Sequence, residues 1–215
     1  MKNTVVRALL SAGAVKVNPL EPFLYSSGMY SPVYCDNRAL LSHPAQRHAV
    51  FVELLQHRLI GGVDGIVGVA TAGIPWATMV ATTLGLPLYY VRSKAKDHGT
   101  ACQVEGGLVE GKRLVVIEDL VTTGGSALSA VQALRKEGAE VDAVISLFSY
   151  GKASSAFGAA DVILVCLAGF EELYSHLKNC KLNTEDELKQ LEAWYIDPEA
   201  WSDKAIAARV CLNYK

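Results

Sequence analysis

From Gly65 onward the chain alternates short, nearly continuous apolar runs with amphipathic stretches, and this alternation restricts the fold more than any other feature. The runs "GIVGV", "LPLYYV", "RLVVIE", "VDAVISLF" and "DVILVC" read as strands, while "PWATMVATTL", "SALSAVQALRKEG" and "FEELYSHLKN" read as helices. Strands that are apolar on both faces and separated by helices describe an α/β fold, a mostly parallel sheet flanked by helices. Ser126 or a neighbour is expected to cap the helix that carries Leu128, Val131 and Leu134, and Gly138 to close it.

Two segments lie outside that alternation. The irregular "PFLYSSGMYSPVYCDNR" precedes a helix, "SHPAQRHAVFVELLQHRLIGG", with proline in its first turn, so residues 1–45 are expected to form a small N-terminal hood. Thr184 and Glu187 make a capping box that opens a helical tail over residues 184–215, with Trp194 and Trp201 packing it onto the body. A chain of 215 residues fits one domain.

The balance of charge excludes some partners. A net charge of -2 gives no global attraction for nucleic acid or an anionic membrane, so any anion site is local. No apolar run approaches the ~20 residues that span a bilayer. Arg7 interrupts the first apolar stretch, and Val6, Leu9 and Leu10 have the period of a surface helix instead of an export signal. Cys35, Cys102, Cys166, Cys180 and Cys211 are odd in number and lack a CxxC pair, which points to a reducing cytoplasm without disulfides or zinc. His43, His48, His57 and His176 lack metal-ligand spacing, and no metal-binding side chains are assigned.

The chemistry concentrates in "EDLVTTGGS", Glu118 to Ser126, at the end of the run "RLVVI". Thr122, Thr123 and Ser126 offer hydroxyls, and Gly124 and Gly125 let backbone N–H groups converge with a helix N-terminus on one anion. Glu118 and Asp119 cannot face that anion without repulsion; they suit neutral hydroxyls. A ribose 5-phosphate presents both faces. The GxxxxGK[ST] and GxGxxG patterns are absent, which argues against an NTPase or a nicotinamide enzyme. A second cluster, "YYVRSKAKDHGTACQVEGG", sets Arg92, Lys94, Lys96 and His98 at every second position, so an extended chain points all four to one side. Glycines 99, 106 and 107 around it suggest a hinged lid that excludes water from an activated ribose.

"VVIEDLVTTGGSA" resembles the phosphoribosyl-diphosphate (PRPP) motif of type I phosphoribosyltransferases. The resemblance implies that Glu118 and Asp119 hold the ribose hydroxyls and that Leu120, Val121, Thr122, Thr123, Gly124, Gly125 and Ser126 hold the 5-phosphate. "VRSKAKDHG" is similar to the flexible catalytic loop of orotate phosphoribosyltransferases, which reaches across a homodimer. It implies diphosphate contacts from Arg92, Lys94, Lys96 and His98. "GVATAGIP" resembles the family's diphosphate loop, with Thr71 and Ala72 at the ligand and a non-proline cis peptide turning N–H groups toward it. Ala72 stands where some members have lysine. "SSG" and "SPVY" match the part that covers the pyrimidine, which implies orotate contacts from Ser27, Gly28 and Tyr34, with Thr122 beneath. The arginine some members use near "ISLFSYG" is absent, and Arg38 is assigned to the orotate carboxylate in its place.

The expected reaction is phosphoribosyl transfer from PRPP to orotate, with Mg²⁺ carried mainly on the substrate phosphates. Asp119 holds ribose, and Lys96 and His98 stabilise or protonate the departing diphosphate. A purine phosphoribosyltransferase would share the EDLVTTGGS chemistry without the hood and loop matches. A PRPP-sensing regulator on the same fold would need a nucleic-acid module that the composition does not suggest.

Overall fold

Residues 2–93 and 103–213 are described by the computed structural model, and they are organised around a six-stranded sheet. The chain opens with helix α1 (Lys2–Ser11), followed by short strands β1 (Val15–Val17), β2 (Phe23–Leu24), β3 (Tyr30–Ser31) and β4 (Val33–Cys35). A 3-10 helix (Asn37–Ser42) leads into α2 (Pro44–Leu55), with Pro44 in the first turn as the sequence suggests. The sheet is then laid down by β5 (Gly65–Val69), α3 (Gly73–Leu84), β6 (Leu88–Val91), β7 (Val104–Glu105) and β8 (Arg113–Val121). It continues through α4 (Gly125–Lys136), β9 (Glu140–Ser149), α5 (Ser154–Ala159) and β10 (Ile163–Gly169). Helices α6 (Phe170–Asn179), α7 (Glu185–Ile196) and α8 (Pro198–Asn213) complete the described chain.

Strand order is β10-β9-β8-β5-β6-β7, parallel throughout except for the antiparallel edge strand β7. The order explains why the strands are apolar on both faces. Ile66, Val115, Ile117 and Ile145 point into one core with Leu9, Leu54, Trp76, Leu173 and Trp194, while Val67, Val116 and Val144 point into another with Val131, Leu134 and Phe157. Each fully buried aliphatic side chain contributes roughly 1.5–3 kcal/mol of transfer free energy. The chain leaves β5 toward β6 on one side and later leaves β8 toward β9 on the other. The order therefore reverses between β5 and β8, the place where open α/β sheets bind ligands beyond their carboxyl ends.

Several boundaries differ from those read in the sequence. Helix α3 begins at Gly73, ahead of Pro75, because Gly73 lies against β8: a Cβ there would run into the Ile117 carbonyl oxygen. Ser126 is not the N-cap of α4. Gly124 takes that position with φ of 88°, and its Cβ would meet the Phe157 ring at 2.6 Å. Gly138, as expected, follows the helix with φ of 86°. Helix α1 packs on α2, α6 and β10, so within residues 1–45 it is the strands β1 to β4 that form the hood. In the tail, Thr184 and Glu187 make the capping box and Trp194 and Trp201 are buried.

One cationic side chain ties three segments together. Arg135, at the end of α4, donates from Nη1 to the Ala160 carbonyl (2.8 Å) and from Nη2 to the carbonyls of Val141 (2.6 Å) and Asp161 (2.9 Å). The planar fork reaches both the start of β9 and the turn before β10, which a lysine cannot do. Arg135→Ala is expected to cost about 2–3 kcal/mol in urea unfolding, since three carbonyls lose a charged donor together.

Candidate active site

Where β5 and β8 part, three segments enclose a cleft of about 440 Å³ lined by Cys35, Asp36, Arg38, Ala70, Thr71, Ala72, Glu118, Asp119, Leu120 and Ser126. Its floor is the end of β8. Pairing with β5 stops at Gly68 opposite Ile117, whereas pairing with β9 runs on to Val121 opposite Ser149, so residues 118–121 have a strand on one side alone. The opened side is the cleft. On one wall the chain turns out of β5 through the Ala70–Thr71 peptide bond, which is cis, and enters α3. On another wall Val121 passes into Thr122, Thr123 and Gly124 and then the start of α4, whose first-turn amides have no side-chain cap. The third wall is the hood, after β4.

The carboxyl pair dominates the electrostatics. Glu118 is 5% exposed; its Oε2 accepts the Ser126 hydroxyl (3.0 Å) and its Oε1 accepts the Asp119 N–H (3.2 Å). The two side chains also hydrogen-bond each other. Burial, followed by the Asp119 charge, pushes the Glu118 carboxyl far above the usual carboxylate range, to about 8. Burial raises Asp119 as well, against the opposing hydrogen bonds from Glu118 and the Leu120 N–H. The pair thus resembles an acid beside a carboxylate, with Glu118 holding the proton.

The strand-to-helix turn after β8 and a non-proline cis peptide between Gly68 and Pro75, both expected from the sequence, are present. The structure brings Thr71, Ala72, Leu120, Ser126 and both acids into one cleft, with exposed Thr122, Thr123 and Gly125 on the adjoining loop. Ser126, expected to face phosphate, is turned to Glu118 instead. Arg38 lines the cleft but is already neutralised by Asp36, with Nε and Nη2 donating at 2.6 and 2.8 Å. Tyr34 sits in an aromatic group with Phe23 (5.7 Å) and Tyr25 (6.4 Å). Ser27 and Gly28 are exposed on the β2–β3 turn, and the Gly28 N–H is spent on the Tyr25 carbonyl (2.9 Å) closing that turn. The Arg92 N–H donates to the Gln103 carbonyl (3.0 Å), the Gln103 side-chain amide donates back to the Arg92 carbonyl (3.3 Å), and the Arg92 guanidinium lies 3.8 Å from Glu105. Lys94, Lys96 and His98 lie outside the described residues. Asp36 and Asn37 carry no signal in the sequence, and Cys35 reads there only as one of five cysteines, because nothing in "CDNR" shows that the hood folds back onto β8.

Comparison with known proteins identifies the family. The phosphoribosyl transferase domain family matches residues 45–172. An orotate phosphoribosyltransferase of Listeria innocua is 42% identical over 205 residues, 94% of this chain and 98% of that protein. The chain belongs to the orotate phosphoribosyltransferase family. A second family member, from Phocaeicola vulgatus, is 46% identical over 198 residues, 90% of this chain and 93% of its own. The crystal structure of orotate phosphoribosyltransferase from Aeropyrum pernix superposes with a TM-score of 0.73 at 34% identity, covering 84% of this chain and 99% of that one.

For this member of the orotate phosphoribosyltransferase family, the buried pair predicts a particular pH response. Between about pH 5 and about pH 8 the unfolded chain ionises Glu118 while the folded chain keeps it protonated, so stability from this group is present in acid and lost as pH rises through the folded value. Glu118→Gln cannot ionise. Its stability relative to the unsubstituted protein is expected to improve steadily across that window in denaturant titrations; parallel stability curves would contradict the assignment.

Proposed function

We propose that the protein transfers the 5-phosphoribosyl group of PRPP to orotate, yielding orotidine 5′-phosphate and diphosphate, a step of pyrimidine biosynthesis. The observation that carries this reading is the convergence of an acid pair, a hydroxyl-and-glycine loop at a helix N-terminus, and a hood in one cleft of a chain whose relatives are orotate phosphoribosyltransferases.

The two faces of the cleft match the two faces of the ligand. Thr122, Thr123, Gly124 and Gly125, with the open first turn of α4, receive the 5-phosphate, where N–H groups and the helix dipole favour an anion. Asp119 and Glu118 accept hydrogen bonds from the ribose hydroxyls. Ser126 is free to turn from Glu118 to the phosphate once ribose occupies the acids. Thr71 and Ala72 stand on the diphosphate side, and the hood covers the base, with Ser27, Tyr34 and Arg38 as its candidate contacts.

The transfer breaks the C–O bond at the anomeric carbon, and the electron pair leaves on the diphosphate. A bond forms from that carbon to the anionic pyrimidine nitrogen. Positive charge spreads onto the ring oxygen between these events, as in glycoside cleavage. Holding both partners in register is most of what the protein must do. Lys96 and His98 are assigned to the diphosphate, supported by Arg92 and Lys94. Mg²⁺ is assigned to the substrate phosphates, where it would supply charge neutralisation, since this cation is usually held by phosphate oxygens and water instead of an all-protein cage.

We further assign the active form to a homodimer, because the Arg92 to His98 run resembles a loop that serves the neighbouring subunit. We place the enzyme in the cytoplasm, in keeping with five cysteines that are odd in number, widely spaced and without a CxxC pair. Among the described residues no helix is long and apolar enough to cross a membrane. The decisive assay offers orotate, uracil, hypoxanthine and adenine with PRPP, with and without Mg²⁺. Orotate alone is expected to be consumed, and only with both PRPP and Mg²⁺. PRPP binding without turnover of any base would mark a sensor, and turnover of a purine would mark a different transferase. Lys96→Ala is expected to lower kcat by roughly 10²-fold, the usual scale for removing one transition-state charge contact; unchanged turnover would remove Lys96 from the chemistry.

A further inference from the structure

We infer that Asn37 is a positioning residue for this reaction: from the hood, its side-chain amide holds the backbone of Asp119, so that the ribose-binding acid and the base-side wall of the cleft are set by one bond. The inference rests on the phosphoribosyl-transfer reading and deepens it.

The geometry begins with the strand end. Past Ile117, β8 has no β5 neighbour, so backbone groups on that side need partners from elsewhere or stay unpaired near the cleft. Asn37 Nδ2 donates to the Asp119 carbonyl at 2.6 Å across 82 residues of sequence. The amide is oriented by chemistry, because a carbonyl can only accept. Its other end is also engaged: the Cys35 thiol lies 3.5 Å from Asn37 Oδ1, and burial holds that thiol protonated and able to donate. Asn37 is 0% exposed.

An amide buried that completely costs free energy unless both ends are bonded. An aliphatic side chain of similar size would fill the space without that cost, so the polar atoms need a purpose beyond packing. Both partners identify it. Cys35 and Asp119 each line the cleft, and Asn37 stands behind them without lining it. Other ties of the hood lead elsewhere. The Tyr30 N–H donates to Ser202 Oγ on α8 (2.9 Å), and the Tyr25 and Tyr150 hydroxyls meet at 3.3 Å beyond the end of β9. Those contacts hold the hood down, whereas Asn37 registers it against the acid pair.

The test is a double-mutant cycle read in both turnover and PRPP affinity. Asn37→Ala is expected to lower kcat/KM for PRPP by about 10- to 100-fold, the scale of a small misplacement of a reacting group. The same substitution in an Asp119→Asn background is expected to add little, because Asn37 acts through Asp119. Ser202→Ala, which cuts one of the hood's other ties, should lower Tm while leaving PRPP affinity and kcat unchanged. Additive losses in the cycle, or a fall in Tm with unchanged kcat/KM and PRPP Kd, would overturn the inference. Asn37→Ser, which keeps a hydroxyl in the space, carries the same cycle if Asn37→Ala does not fold. If the unsubstituted protein turns over no base, the transfer reading fails; the cycle in PRPP Kd, measured by calorimetry, still decides whether Asn37 positions Asp119.

Discussion

The early departure of β5 from the sheet sets up everything that happens at this site. A parallel strand flanked on both sides has no backbone to spare, and β8 is flanked on both sides only as far as Ile117. Its last four residues are open on one edge, and the two acids stand on that exposed edge. The same departure directs the chain after Val69 across the mouth of the gap and into α3, whose first residue must be glycine to lie against the Ile117 carbonyl. One geometric event thus produces the floor and one wall of the cleft together.

The juxtaposition of two carboxyl groups with an anion-binding loop then becomes intelligible. In the free protein the pair is buried, and two neighbouring negative charges with little water would be costly there. Keeping a proton on Glu118 and recruiting the Ser126 hydroxyl relieves that cost within the site itself. A ligand that brings its own hydroxyls and a cation relieves it differently. In the proposed complex the negative charge would be set against the sugar, leaving the loop and helix end to the phosphate.

The sheet, its helices and the turn from β8 into α4 were legible because each depends on local pattern: unbroken apolar runs for doubly covered strands, helical spacing in 125–136, and glycines where side chains would collide. Exact starts were less legible where tertiary contact overrode local preference. Gly124 displaced Ser126 as the cap because Phe157 lies where a Cβ would be, a fact held 33 residues away. The hood was hardest to read. Its strands are two or three residues long, its turn consumes the Gly28 amide, and Arg38 is paired by a neighbour two positions back. Asn37 carries no sequence signal, since its meaning lies in the 82 residues that separate it from Asp119.

The strut between Tyr30 and Ser202 joins positions 172 residues apart, so the hood leans on α8, an element far along the chain. The floor of the cleft, by contrast, is held by the pairing of β8 with β9 and owes nothing to that helix. Cover and floor thus answer to different parts of the chain, and a change in α8 that withdraws Ser202 would loosen the first without touching the strand beneath it.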